Sequence, residues 1–380
     1  MRACLKTLGD TAALDSVLPD RIFEIAYAFR KSKALLSAVE LGVFTALADG
    51  PLDGGTLMAR VGIHPRGGRD FLDTLVALDF LDRDEAGRYA NRPDCALYLD
   101  LRKSTYVGGS LELLNSFVYA DWAHLTQALR TGHGSSVLAD GGYAGLYADR
   151  ASFDTFLQGM SGSSLIPARS LSERFPWHRH ETVIDVGTAQ GCMPVELARN
   201  HAHLRGGGFD LPQVEPAFMD YVRRNGLSDR LRFYPGDFLR DDLPKADVLV
   251  MGHILHNWDL STKKLLLRKA AQALPDGGVL IVYDNIIDDE RRHRPNSLLA
   301  SLNMLIETAG GFEYTDSECS AWMRETGFSD IQIERLDWIS IATIGIRLGR
   351  VLINARTGGI DPRGRRLPMI TPGQGRKPHV

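Results

Sequence analysis

The chain has 380 residues, 44% apolar and 24% charged, with 44 Lys plus Arg against 47 Asp plus Glu for a net charge of -3. At about 150 residues per domain this is enough for two domains, and the balance of apolar to charged residues excludes wholesale disorder. With no overall positive field there is no electrostatic drive toward non-specific nucleic-acid binding, and no run approaches the roughly 18 apolar residues of a membrane span.

Residues 1–103 read as a mainly helical, winged-helix-like domain. Ile22, Ile25, Ala26, Phe29, Leu35, Leu36 and Val39 recur near helical spacing between Arg21 and Glu40. A second helix is expected after Gly54-Gly55 and a third after His64-Pro65, since proline suits a first helical turn. Phe71, Leu72, Leu75, Val76 and Leu78 form the buried stripe of that third helix. Phe80 to Asn91 then reads as a hairpin turning near Glu85 to Gly87. On the third helix Arg66 and Arg69 are cancelled by Asp70 and Asp73, with Asp79 just beyond. A groove-reading helix needs an excess of cations, so this module is expected to pack against a second copy of itself rather than against DNA.

Residues 104–178 continue as amphipathic helix broken by a loop between Thr131 and Gly142, a linker and substrate-pocket region. Between 179 and 350 the pattern changes to alternating strand and helix, which means a doubly wound, mostly parallel sheet. Its apolar runs are Thr182 to Val186, Gly208 to Leu211, Leu231 to Tyr234, Asp247 to Met251 and Gly278 to Tyr283. A helix is expected from Pro194 to Asn200 and another from Leu260 to Leu274, the latter stopped by Pro275-Asp-Gly-Gly. Ile331 to Leu336 and Ile339 to Leu348 complete an antiparallel edge. Residues 351–380 set arginines among Gly and Pro and are expected to be a disordered basic tail. The four cysteines, Cys4, Cys95, Cys192 and Cys319, are too scattered for a zinc site or a disulfide framework, and the start lacks a signal peptide's apolar stretch. A reducing cytoplasm is the expected compartment.

Ligands of such sheets bind at the carboxyl ends of the strands. The first strand runs into Asp185-Val-Gly187-Thr-Ala-Gln-Gly191, a G-x-x-x-G turn rather than the G-x-G-x-x-G of a nicotinamide site. An acid two positions before the first glycine would repel a pyrophosphate but hold an ammonium group, which favours S-adenosylmethionine. The second strand ends Phe209-Asp210-Leu211-Pro, with Asp210 placed to accept from both ribose hydroxyls. The third ends Pro235-Gly-Asp237-Phe238, an acid for the adenine amino group and a ring to stack on it. Gly252 and His253, at the end of the fourth strand, fall on the same edge and are taken with the donor contacts.

These segments, with Ile254-Leu-His-Asn-Trp-Asp, resemble the S-adenosylmethionine-dependent O-methyltransferases of plants and of bacterial natural-product pathways, over about Ala26 to Leu348. The resemblance implies a Rossmann-like catalytic domain and an N-terminal dimerisation domain, and hence a homodimer whose partner helices line part of the substrate pocket. It matches Gly187, Asp210, Asp237 and Phe238 to donor contacts and Ser164 to a serine near the donor's methionine end. Thr188 and Ala189 depart from the family's further glycines, but both are small.

Methyl transfer to a phenol is helped by a base that removes the proton. His256 lies where the fourth strand gives way to a helix, has an ordinary pKa near 6.5, and matches the family's catalytic base. Asp284 and Glu313 match family positions flanking that histidine, where a carboxylate fixes the tautomer and stabilises the imidazolium. Asn257, Asn303 and Met304 are expected to line the pocket of a small hydroxylated aromatic acceptor, with thioether against ring. No metal is called for. Two alternatives stay open: repurposed chemistry (hydroxylation, decarboxylation or cyclisation) around a bound sulfonium, and a dimeric winged-helix regulator.

Overall fold

The computed structural model describes residues 18–134, 136, 146, 147 and 149–348. The basic tail 351–380 and most of the Thr131–Gly142 loop lie outside the described residues. The chain divides into two compact units that meet at Phe117 and Val118, within the stretch 104–178. No helix among the described residues is long and apolar enough to cross a membrane.

The first unit carries α1 (Asp20–Glu40), α2 (Gly54–Val61) and α3 (Pro65–Ala77). The start of α2 is set by the Asp53 carboxylate, which accepts from Thr56 N–H at 3.0 Å. At the start of α3, His64 Nδ1 accepts from Arg66 N–H at 3.2 Å and Pro65 opens the helix. Leu72 and Leu75 of α3 are fully buried with Leu57, Phe44 and Leu81. The hairpin is present as β2 (Leu81–Arg83) and β3 (Arg88–Asn91). A third strand, β1 (Leu52–Asp53), pairs antiparallel with β3. At two residues it is too short to leave a periodic signal in the sequence.

In the second unit α4 (Arg150–Arg174) precedes a seven-stranded sheet. In chain order the elements are β4 (Thr182–Val186), α5 (Cys192–Asn200), β5 (Arg205–Asp210), α6 (Glu215–Arg224), β6 (Leu231–Pro235) and β7 (Val248–Gly252). They continue with α7 (Leu260–Ala273), β8 (Val279–Asp284), α8 (Pro295–Glu307), α9 (Asp316–Glu325), β9 (Phe328–Arg335) and β10 (Ile341–Arg347). The strand order is β6-β5-β4-β7-β8-β10-β9, with β10 antiparallel to both β8 and β9. Alternation sorts the central strands onto two faces. Ile184, Val186, Leu249, Met251, Leu280 and Val282 pack with Leu266, Leu267 and Ala270 of α7. Val183, Val248, Val250, Val279, Ile281 and Tyr283 pack with α4 and α5 through Ala168, Leu171, Met193 and Leu197. Strand order reverses between β4 and β7, so the crevice above their carboxyl ends is where a ligand of this architecture sits.

β5 begins three residues earlier than the apolar run from Gly208 suggests, because Gly206 and Gly207 carry no β signal of their own. Gly206 is half-buried and Gly207 buried, between strands on either side, with φ of +137° and +150°. A Cβ on Gly206 would lie 1.8 Å from the Val183 carbonyl oxygen, and one on Gly207 1.8 Å from that of Arg232. Neither backbone oxygen can move without breaking the parallel ladder. Gly206→Ala is therefore expected to destabilise the protein by about 3 kcal/mol or more in urea denaturation; a loss below about 1 kcal/mol would contradict this account of β5.

Candidate active site

The carboxyl ends of β4 to β8 bring five sequence segments to one edge. After β4 the chain turns at Gly187, whose φ is +74°. A side chain there would strike Ile254 at 2.2 Å, so the backbone approaches the far wall as only glycine allows. Ala189 follows with φ +50°, a left-handed conformation that costs a non-glycine residue about 1 kcal/mol. That turn aims the Ala189 N–H at Asp210 Oδ2, 2.9 Å away, while Leu211 N–H donates to Oδ1 at 2.8 Å. The loop therefore forms without the extra glycines, and Gly191 closes it at the start of α5. Gln190 in the same loop accepts from Ser161 Oγ of α4 at 3.1 Å. Ser164, one turn further along α4, neighbours the Tyr283 hydroxyl instead.

Asp185 and Asp210 are both buried. Burial pushes Asp185 up to about 7, the charge of Asp210 adding to the effect. Burial likewise pushes Asp210 up to about 6, against the pull of its two backbone donors. The Thr188 hydroxyl, also buried, favours the Asp185 anion and opposes the rise there. Asp237 is more open: its Oδ1 accepts from Leu239 N–H at 2.9 Å, and Arg240 stands 3.5 Å from Oδ2. Phe238 meets Trp258 edge-on at 5.9 Å.

β7 ends at Gly252, and His253 takes a left-handed φ of +55° that turns the chain into the short 3-10 helix Leu255–Asn257. Asn257 Nδ2 closes this turn by donating to the His253 carbonyl at 2.9 Å. The two histidines are driven in opposite directions. Desolvation, with the neighbouring His256 charge, pushes His253 down to about 3. His256 is raised to about 9, because the Glu313 and Asp284 charges and the Glu313 hydrogen bond outweigh the desolvation that opposes them. His256 Nδ1–H donates to Glu313 Oε1 at 2.7 Å, leaving Nε2 as the second nitrogen. Asp284 Oδ1 is 3.8 Å from Nδ1, too far for a hydrogen bond, and Asp284 Oδ2 accepts from Tyr314 O–H at 2.5 Å. Of the two flanking acids, Glu313 orients the ring directly and Asp284 acts through its charge. The Gly310-Gly311 pair brings Glu313 back to this edge, and Phe312 N–H donates to the His256 carbonyl at 2.8 Å.

Of the three acceptor-side residues, Asn303 Oδ1 accepts from Trp122 Nε1–H at 2.8 Å, Met304 is buried, and Asn257 is committed to its turn. Sequence reasoning passed over Glu307, although it lies four residues beyond Asn303 on the same face of α8. Burial pushes its carboxyl up to about 7, with the Asp121 charge adding and that of His256 opposing. Tyr314, next to Glu313, was missed because only the fold shows its hydroxyl on Asp284.

The sequence matches the family model of the O-methyltransferase domain over residues 122–329 and that of the O-methyltransferase dimerisation domain over residues 23–100. It is 43% identical to the tetracenomycin polyketide synthesis 8-O-methyl transferase TcmO of Streptomyces glaucescens, across 86% of this chain and 96% of that protein. It is 37% identical to the N,N-dimethyltransferase OxyT of Streptomyces rimosus, across 84% of this chain and 95% of that protein. The fold is similar to the crystal structure of human N-acetylserotonin methyltransferase in complex with S-adenosylmethionine, with a TM-score of 0.80, 26% identity, and coverage of 90% of this chain and 99% of that one.

The raised acids carry a stability cost with a definite sign. A carboxyl held at about 7 in the folded chain against an ordinary 3.8 binds its proton more tightly when folded. That contribution is present at pH 4 and is lost as pH rises through 7. Asp185→Asn, measured by urea melts without ligand, is expected to exceed the wild type by on the order of 2 kcal/mol at pH 8 and to approach it below pH 4. Equal stability at both pH values would show that the Asp185 anion is not strained.

Proposed function

The chain belongs to the S-adenosylmethionine-dependent O-methyltransferases, and from that premise we propose that it methylates a hydroxyl of a small hydroxylated aromatic metabolite, with His256 as general base and S-adenosyl-L-homocysteine as second product. The observation that carries the base assignment is the buried contact of 2.7 Å between His256 Nδ1 and Glu313 at the ligand edge of the sheet. The likeness to TcmO points the acceptor toward a polyketide-derived ring.

The donor set fits a ligand with an ammonium group and a ribose diol. Asp185 and Asp210 are buried acids with no cation beside them among the described residues, next to the side-chain-free turn at Gly187, and such a ligand offers what they lack. We assign Ser164, Asp185, Gly187 and Gly191 to its methionine end, Asp210 and Leu211 to the ribose, Asp237 and Phe238 to the adenine, and Gly252 and His253 to the wall beside it. Bound there, S-adenosylmethionine supplies an electrophilic methyl on a positive sulfonium.

The chain's own residues do the rest. Glu313 pins the ring so that Nε2 faces the acceptor, and Nε2 takes the phenolic proton as the oxygen gains its methyl. The Glu313 and Asp284 charges stabilise the imidazolium so formed. Asn303 and Met304, with Asn257 beside the base, bound the acceptor, and Glu307 offers a carboxyl held at about 7 that in its protonated form can donate to a carbonyl or a second hydroxyl. The chemistry needs no metal.

Residues 1–103 are assigned to dimerisation, 104–178 to the linker and acceptor region, and 179–350 to donor binding and catalysis, in a cytoplasmic homodimer. The chain carries the dimerisation domain over residues 23–100. Its α1 leaves Ile22, Phe23, Ile25, Tyr27 and Phe29 between 48% and 72% exposed, an apolar face that water would not tolerate at length. A second copy of the chain is the proposed cover.

His256→Ala is expected to lower turnover by about 10²-fold or more while the affinity for S-adenosylhomocysteine, read by calorimetry, stays within about twofold. Retained turnover would remove the base assignment. In the wild type, kcat/KM is expected to climb with pH as the imidazolium deprotonates and to level near 9, and addition of a chelator is expected to leave it unchanged. For the assembly, sedimentation should give twice the chain mass of 41.9 kDa for the wild type and the single mass for Ile22→Asp/Ile25→Asp; a wild-type monomer would contradict the dimer.

A further inference from the structure

Lys263 has no part in the reading above. It lies on the first turn of α7 with its side chain entirely buried, beside Lys264, which instead reaches the surface and pairs with Glu325 at 2.7 Å. The Lys263 ammonium sits 3.5 Å from the centre of the Phe312 ring and 5.6 Å from that of Tyr314. It donates to the Trp258 carbonyl. It makes no direct ion pair with a carboxylate among the described residues.

A buried cation without a direct partner is costly, and an apolar side chain of the same length would fit α7 with less penalty. Burial does pull Lys263 down to about 8, and what resists that pull is the charge of Asp284, then Glu313, then Asp259, with Cys319 last. The titratable groups around it are therefore Asp259 from its own helix cap, Asp284 of β8, Glu313 and Tyr314 from the segment after α8, Cys319 of α9, and His256. Asp284 Oδ1 and Glu313 Oε2 have no hydrogen-bond partner among the described residues. Left alone, these two acids would make His256 hold its proton more firmly still.

We propose that Lys263 is a positioning residue for methyl transfer: its buried ammonium, seated on the Phe312 ring and the Trp258 carbonyl, shares Asp284 and Glu313 with His256 and limits how tightly the imidazole keeps its proton. The inference rests on His256 as base. It gives a reason for a lysine at a position where packing alone favours an apolar chain. Phe312 holds both ends of the arrangement, since its backbone N–H binds the His256 carbonyl and its ring carries the Lys263 charge.

The test is an NMR titration of the ring-labelled full-length protein, with the His256 resonance identified by its loss in His256→Asn. In Lys263→Met the proton shared by His256, Asp284 and Glu313 is expected to leave about one pH unit higher than in the wild type, and the acidic limb of kcat/KM should move with it. Lys263→Arg, which keeps the charge, should return the midpoint close to the wild type. A midpoint unmoved or lowered in Lys263→Met would overturn the proposal while leaving the base assignment intact. His256→Asn that keeps its turnover would strike the base assignment and leave the midpoint comparison standing. Should Lys263→Met fail to fold, the reciprocal coupling decides. The Lys263 ammonium should then titrate higher in His256→Asn than in the wild type, and an unchanged value would overturn the proposal.

Discussion

The ion pair between His256 and Glu313, out of contact with water, is what the catalytic edge is arranged around. An imidazole on a protein surface would hold its proton near 6.5 and its ring would rotate freely. Here a carboxylate at 2.7 Å fixes the ring and raises its proton affinity together, and the two effects pull against each other in function. Orientation favours catalysis, but an imidazole that already carries a proton cannot take another. The surrounding groups answer that conflict. Asp284 is turned partly away by the Tyr314 hydroxyl, which leaves Glu313 as the one carboxylate in hydrogen-bond contact with the ring among the described residues.

The part of the edge proposed for the donor shows the complementary imbalance. Asp185 and Asp210 are buried acids with backbone or loop partners but no cation beside them among the described residues, and each is held well above its ordinary pKa. Such groups weaken the ligand-free protein, and they are not needed to hold the sheet, whose faces are built from Ile, Val, Leu and Met. A ligand that brings an ammonium and two hydroxyls relieves both acids at once. Affinity for the donor and instability without it then have the same origin, so donor binding should be strongly linked to folding.

The placement of these residues on one edge was legible in the sequence because a parallel sheet gathers the ends of its strands there. Asp185, Asp210, Asp237 and His256 each follow an apolar run, and that position needs no knowledge of packing. Gly206 and Gly207 were not legible as strand, since glycine has no β preference and their reason is the approach of two carbonyls from neighbouring strands. Lys263, Tyr314 and Glu307 were hidden for a different reason. On a helix or loop, a charged or phenolic residue reads as solvent-facing, and only tertiary burial turns it into part of a site. The split between Glu313 and Asp284 was equally invisible, because both acids match their positions and only distance separates a hydrogen bond from a field.

The raised proton affinity of His256 also bears on the nucleophile. A phenol loses its proton near pH 10, so transfer to the proposed base, an imidazole held at about 9, is close to balanced. An amine needs the reverse, since it attacks as the neutral form and sheds its proton only after the new bond exists. The imidazolium would also repel the ammonium form of such an acceptor. Glu307 reinforces the same preference: a carboxyl that is half-protonated near pH 7 suits a hydroxyl or carbonyl, whereas an ammonium would call for a fully ionised acid. Both groups thus suit an oxygen acceptor, in keeping with the O-methyltransferase family to which the chain belongs.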